Sequence, residues 1–365
     1  MFFKGKIMKN IGIYIHVPFC RSKCPYCDFY SFKAQSDDMY RYCDAVKKSM
    51  KNFFASNADV RADTLYFGGG TPSLLGGERI SSLVDTVSSV LTNDAEITVE
   101  CNPSDDLNSF FSEVSSNGVN RISLGMQSAV THERHKLGRR ASSDEVMKAI
   151  EAARRNSIDN ISLDLMLGTP DMTLESLDKS LEFIKQADVP HVSAYMLKIE
   201  DGTPFSRMAD RLNLPNEDTV CDMYLKTCDY FNSIGLNQYE ISNFARSGFE
   251  SRHNLKYWNC EEYIGFGPSA HSFFDGKRFY YPRDFELFLD GASPVQDGDG
   301  GSIEEKLMLG LRLTSGIDIS LLSEKSKTKL PMLEKNLLIV RKGERIAMTP
   351  KGFLISNAVI SELIE

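Results

Sequence analysis

No stretch of this 365-residue chain approaches the roughly 20 consecutive apolar residues that cross a bilayer. Met1 to Asn10 lack the long apolar core of a secretory signal, so no transmembrane segment is expected and the expected compartment is the cytoplasm. A basic excess is missing too. The 42 Lys and Arg are outnumbered by 50 Asp and Glu, a formal charge of -8, which argues against a nucleic-acid binder because phosphate contacts need clustered cations. The cysteine density of a disulfide scaffold is also absent: eight cysteines are spread over the whole length. Tryptophan occurs once and histidine six times, so each such residue carries information. The remaining composition, 42% hydrophobic and 25% charged, is that of a globular chain with room for one large domain and a small one.

Three of the eight cysteines break the even spread. They lie in Tyr14-Ile-His-Val-Pro-Phe-Cys20-Arg-Ser-Lys-Cys24-Pro-Tyr-Cys27-Asp-Phe29, a loop that follows an apolar strand-like run. Thiolates are the usual ligands of iron–sulfur clusters. A tight Cys-x3-Cys-x2-Cys loop can reach three irons of one cubane and leave the fourth open. A zinc site would ask for a fourth Cys or His at short spacing, which Asp28 and Phe29 do not supply; His16 reads as a packed residue of the preceding strand. The alternative is that small buried cysteines simply fill core.

Strand-like runs near Gly12–Val17, Thr64–Gly68, Glu96–Glu100, Arg121–Met126, Asn160–Leu167 and His191–Leu197 are each followed by a helical pattern. Six such units predict an α/β fold, a partial (β/α)6 TIM-like barrel with its site at the carboxyl ends of the strands. Gly68, Glu100, Gln127 and Asp164 all fall at or just past those ends. Each has a plain reading: a loose glycine turn, a capping carboxylate, an Asp in need of a partner if buried. Further on, Asn216–Ile234 predicts a helix with Cys221, Tyr224, Cys228 and Phe231 on one face, the two cysteines read as core. Ser251-Arg-His253-Asn254-Leu-Lys-Tyr257-Trp258 holds the lone tryptophan; on physics alone these aromatics are buried anchors and Asn254 a cap.

The tail predicts helices over Glu304–Thr314 and Leu321–Leu338, a hairpin about Gly343 and a last helix after Thr349-Pro350. Together these make a winged-helix-like α+β module. Residues 301–365 carry ten Lys or Arg against eight Asp or Glu, too small a basic footprint for DNA binding. The boundaries expected are 1–235 for the barrel, 236–295 for an extension carrying the His-Asn motif and 300–365 for the tail. Gln296-Asp-Gly-Asp-Gly-Gly301 is read as the linker.

The three cysteines, Tyr26 before the third, and Gly68-Gly69-Gly70-Thr71-Pro72 resemble the radical S-adenosylmethionine (SAM) superfamily. The Tyr14-to-Cys20 approach resembles the oxygen-independent coproporphyrinogen III oxidases and their relatives. The resemblance implies a [4Fe-4S] cluster on Cys20, Cys24 and Cys27, whose open iron chelates SAM and whose electron cleaves it to a 5'-deoxyadenosyl radical. It implies cofactor contacts from Tyr14, Tyr26, Gly69, Gly70, Thr71, Glu100, Gln127, Arg139 and Asp164. His-Asn-x-x-Tyr-Trp resembles the heme-chaperone branch of that family, which makes His253 the first expected heme contact and His271, in Gly265-Phe-Gly-Pro-Ser-Ala-His271, the second. Two departures from the oxidase pattern, Phe29 where the oxidases have a further cysteine and only 19 residues ahead of Cys20, argue against porphyrinogen decarboxylation. The function so implied is binding of heme and its transfer to a heme-accepting, respiratory protein, with an electron donor serving the cluster, no assigned catalytic residue and no nucleic-acid partner. The alternatives kept open are the oxidase itself and a zinc-containing regulatory protein whose tail binds DNA.

Overall fold

The computed structural model describes residues 8–33 and 35–364. Six strands, β1 (Lys9–Val17), β2 (Val60–Gly69), β3 (Leu91–Cys101), β4 (Arg121–Gln127), β5 (Asn160–Leu167) and β6 (His191–Met196), run parallel and side by side in chain order. All six expected strands are present; β1 to β3 begin several residues earlier than the alternation indicated. Helices at Ser36–Ser56, Gly77–Val87, Leu107–Ser115, Ser143–Arg155 and Leu174–Ala187 return the chain between them. Their starts are locally encoded. Ser142 with Glu145 and Thr173 with Ser176 form reciprocal capping boxes that satisfy orphan amides of the first turn.

Strand parity sorts the side chains. Ile11, Ile13, Ile15 and Val17 of β1, with Leu65, Phe67, Ile97, Val99, Ile122, Leu124, Ile161 and Leu163 on its neighbours, are buried in one core under the helices. The opposite parity is polar: Tyr66 bonds Glu100, Ser123 bonds Asp164 and Ser162 bonds His191. Alternate residues of each strand point to opposite faces, so the concave side is a polar pocket rather than a filled barrel core.

The sheet extends past both ends of the parallel set. Beyond β6, β7 (Asn237–Gln238) and β8 (Asn243–Ala245) add antiparallel strands, with β8 next to β6. Beside β1 lies β9 (Tyr263–Phe266), parallel to it, followed outward by antiparallel β10 (His271–Phe274), β11 (Lys277–Tyr280) and β12 (Val295–Asp299). Here the structure corrects the linker expectation. Gln296–Asp299 is part of edge strand β12, not a spacer; it reads as a linker because all five residues of the strand are exposed and bury no apolar face. Past it, a helix at Ile303–Gly310 precedes a small sheet, β13 (Ile317–Asp318), β14 (Ile339–Lys342) and β15 (Arg345–Met348), in the order β13-β15-β14, with a helix at Leu330–Lys335 between β13 and β14. Helices Pro350–Leu354 and Ser356–Ile364 close the tail, as the hairpin and Thr349-Pro350 indicated. The helix at Glu217–Ser233 is capped by Asn216 and buries Tyr224, Cys228 and Phe231, whereas Cys221 is only partly covered. No helix among the described residues is long and apolar enough to cross a membrane.

Ile13 sits at the centre of the strand on which both edges of the sheet build, fully buried. Ile13→Ala is expected to lower unfolding free energy by about 2–5 kcal/mol, read as a drop in the urea midpoint at unchanged slope.

Candidate functional site: a thiol loop over an acidic pocket

The cysteine loop is pinned at its root. Cys20 N–H donates to the Phe32 carbonyl at 2.9 Å and Phe32 N–H to the Pro18 carbonyl at 2.8 Å, so the chain leaves β1 and returns beside itself. Behind that pair, Phe19 meets Phe32, Tyr42 and Phe285 edge-on. The glycine loop after β2 locks onto the same root: Gly70 N–H donates to the Val17 carbonyl and Thr71 N–H to the Phe19 carbonyl. A Cβ on Gly70 would stand 2.5 Å from the Phe19 carbonyl oxygen, a contact only glycine avoids. Thr71 then brings its hydroxyl 3.6 Å from the Cys20 sulfur. The far side of the loop is held by the Phe205 amide on the Pro25 carbonyl, by Tyr26 against Phe205, and by Gly138, whose missing Cβ leaves room for Pro25.

Below the loop lie the polar side chains expected from the strand ends. Glu100 accepts from the Tyr66 hydroxyl at 2.8 Å and the Gly69 amide at 3.2 Å. Burial, then the nearby Asp164 charge, pushes its pKa up to about 7. Burial likewise raises Asp164, against hydrogen bonds from Ser123 and Ser193. Arg139 donates to the Tyr26 hydroxyl at 3.1 Å and lies over Gly125, where a Cβ would be 3.1 Å from its guanidinium and 3.2 Å from the Gln127 amide nitrogen. Gln127 itself is buried, with φ of 67° at a break in the β4–β5 register; such bulges re-aim a side chain at the cost of local strain. Tyr14 faces the same pocket, its hydroxyl 3.1 Å from His16 and its ring 6.2 Å from Tyr66. The structure thus brings together Tyr14, Tyr26, Gly69, Gly70, Thr71, Glu100, Gln127, Arg139 and Asp164. Sequence reasoning missed Tyr66, Ser123 and Ser193, although each shares inward parity with a residue already singled out.

His253 stands behind this pocket, its ring 6.3 Å from that of Tyr14. It is 1% exposed, inside the barrel wall, with Nδ1 2.8 Å from the Thr64 hydroxyl and Nε2 2.7 Å from the Tyr257 hydroxyl. Burial lowers its pKa to about 3, so the ring is neutral. Its helix, Arg252–Trp258, has its first amides on Glu96, through Arg252 N–H at 3.1 Å and His253 N–H at 3.0 Å. In this arrangement both ring nitrogens of His253, the first expected heme contact, are hydrogen-bonded, and neither is presented to an iron. The ring instead stacks on Tyr66, centroids 5.1 Å apart, and Tyr66 carries Glu100. Trp258 is half-buried with Arg312 over its ring, and Ser251, not Asn254, caps the helix.

Residues 14–184 match the radical SAM superfamily and residues 302–355 the HemN C-terminal domain. A protein of Bacillus subtilis named heme chaperone HemW is 34% identical over 96% of this chain and 98% of its own. The heme chaperone HemW of Mycobacterium tuberculosis is 34% identical over 97% of this chain and 94% of its own. The chain belongs to the HemW family of radical SAM proteins. Among solved structures it resembles the Escherichia coli coproporphyrinogen III oxidase HemN, described as a radical SAM enzyme. The TM-score is 0.83 at 20% identity, covering 98% of this chain and 91% of that one.

A radical SAM domain implies a [4Fe-4S] cluster and SAM, and the residues present suit both. Cys20, Cys24 and Cys27 are free thiols, all partly exposed on one loop. No three His, Cys, Asp or Glu among the described residues are grouped to hold a single metal ion, whereas a cubane takes each thiolate on a different iron. Burial raises the Cys27 thiol, the neighbouring thiols adding to it. Two half-buried carboxylates and a guanidinium match a ligand carrying an ammonium, a sulfonium and a carboxylate. When bound, the cluster supplies the electron for reductive chemistry on SAM; the protein's share is to orient the ligand and hold Glu100 and Asp164 away from bulk water.

Two expectations follow. A Glu100 pKa above the 4.5 of an ordinary glutamate means the fold binds this proton more tightly than the unfolded chain does. The associated stability is full below that value and is lost as pH rises through about 7. Ligand-free Glu100→Gln should therefore lose less melting temperature than wild type between about pH 5 and about pH 8; parallel curves would show that Glu100 is not the group. His253→Ala strands the Thr64 and Tyr257 hydroxyls and is expected to cost about 1–3 kcal/mol for each in chemical denaturation. A variant as stable as wild type would mean that the ring does not hold those two hydroxyls.

Proposed function

We propose that this chain binds heme and passes it to an acceptor protein, on a scaffold in which Cys20, Cys24 and Cys27 hold the [4Fe-4S] cluster and SAM lies over Gly69, Gly70, Glu100, Gln127, Arg139 and Asp164. The observation that carries the reading is the 34% identity, over nearly the whole of both chains, to proteins named heme chaperones. Phe29 supports it. Its side chain is 65% exposed beside the cysteine loop, an apolar surface where the oxidase pattern has a cysteine. A respiratory heme protein is the acceptor class, and a reductant for the cluster is the second partner.

The coproporphyrinogen III oxidase reading draws on the HemN likeness, which at 20% identity speaks for the scaffold alone. One preparation separates the two. Anaerobically reconstituted protein, loaded with heme and mixed with an apo heme protein, is expected to give up its heme faster than free heme is taken up, and to leave coproporphyrinogen III unconverted. Conversion of coproporphyrinogen III without heme delivery would make the protein an oxidase. In the same preparation Cys27→Ala should retain little iron and acid-labile sulfide, whereas Cys228→Ala, in the core, should keep both; equal loss in the two would mean that the thiol loop is not the cluster site.

A further inference from the structure

If heme travels on this chain, some group must hold its iron, and histidine is a common protein ligand to heme iron. Three of the six histidines are closed. His16 is bonded to Tyr14 and the Tyr30 carbonyl, His191 to Ser162 and Tyr239, His253 to Thr64 and Tyr257, and all three are buried. His132 and His135 are exposed on the short helix Thr131–Lys136, with no aromatic ring against either among the described residues.

His271 differs from both groups. It is exposed, its ring makes no hydrogen bond among the described residues, and it stacks on Tyr280 with centroids 5.3 Å apart and 26° between planes. Its position follows from topology. Because β9 runs parallel to β1, its end reaches the same rim as the cysteine loop. Gly267, at φ of 104°, then presses the turn onto β1, the place of its missing Cβ lying 2.5 Å from the His16 carbonyl oxygen. His271 is the first residue after that turn. The chain pairs back beside it through Tyr281 N–H to the Ala270 carbonyl and Ser269 N–H to the Tyr281 and Pro282 carbonyls. Arg283 follows and reaches the Asp28 carbonyl at 2.5 Å and its carboxylate at 3.6 Å, next to exposed Phe29. His271 pairs with Tyr280, and Ser269 N–H closes onto the Tyr281 and Pro282 carbonyls, so Arg283 leaves the same end of the β10–β11 hairpin.

We propose that His271 is the imidazole that takes heme iron on this chain, with Arg283 placed to receive a propionate and Tyr280 and Phe29 offering apolar surface to the porphyrin. The inference rests on the heme-carrying function proposed above. Iron-bound imidazoles commonly donate their second N–H to a carboxylate; Asp297 on β12 is the carboxylate whose charge bears on this ring. The Arg283–Asp28 ion pair is about half exposed on each side, the kind of contact worth little in water and open to exchange for a propionate.

The test is hemin titration of the anaerobically reconstituted full chain, followed by the Soret band and by ligand-sensitive Raman or magnetic spectra. Wild type is expected to saturate with an imidazole-ligated spectrum. His271→Ala is expected to bind at least about tenfold more weakly and to lose that spectrum, with added imidazole restoring it. Arg283→Ala should weaken binding with the spectrum unchanged, and the His132→Ala/His135→Ala pair should match wild type; iron and sulfide content reports that each variant is folded. Wild-type affinity and spectrum in His271→Ala would overturn this assignment and leave the heme-carrying reading standing. No saturable binding by wild type would overturn that reading, and this one with it.

Discussion

The carboxylate of Glu100, shared between the Tyr66 hydroxyl and the Gly69 amide, is the constraint around which the pocket is arranged. A buried acid beside a second acid is unstable as a charged pair, and the fold offers two remedies. One is protonation, visible in the raised pKa values of both Glu100 and Asp164. The other is a ring of donors and cations: Ser123, Ser193, Arg139 and the fully buried Arg121 all act on one or both carboxylates. A cationic ligand would complete what these groups leave undone, which is why an acidic pocket beneath a thiol loop suits SAM better than it suits an anionic or apolar molecule.

That arrangement explains where the His-Asn-x-x-Tyr-Trp stretch belongs. Glu96, four residues before Glu100 on the same inward parity, holds the first amides of the Arg252–Trp258 helix. The helix in turn places His253 against Tyr66, so that one column runs from Tyr257 through His253 and Tyr66 to Glu100. Lys256 seals the base through Asp63 at 2.9 Å and Glu261 at 3.1 Å, with its side chain only 5% exposed. A buried ammonium needs good geometry to repay its desolvation; two carboxylates, both partly open to water, provide it. The motif is thus built into the wall of the cofactor pocket.

What the sequence made legible follows the strength of each physical signal. The six parallel strands are continuous apolar runs covered by helices, and the expected spans fall inside the observed ones except at the end of β6, which stops at Met196 rather than Leu197. Of the pocket residues, Glu100, Gln127 and Asp164 were readable from their places at strand ends, and Arg139 from the resemblance. Tyr66 was not, because a tyrosine inside an apolar run reads as core until its parity is set against Gly68. The edge strands β9 to β12 were invisible for the opposite reason. They are four or five residues long, and β12 shows no buried face, so glycine and aspartate in Val295–Asp299 mimic a linker. His253 drew attention as a histidine beside aromatics, a pattern that a ligand and a hydrogen-bonded wall residue share equally; only three-dimensional placement separates them.

Two buried histidines are built so that neither offers a free nitrogen to a metal. His16 lies on β1 just before the cysteine loop, and His253 lies against Tyr66 in the wall of the acidic pocket. Both are closed by two hydrogen bonds and lowered by burial to pKa values of about 4 and about 3. Neutrality alone would leave a lone pair to offer a metal; the second hydrogen bond is what occupies it. A histidine meant for iron must be built the other way, open at the ring and supported at its face, and on the rim beside the cysteine loop that description fits His271 on Tyr280.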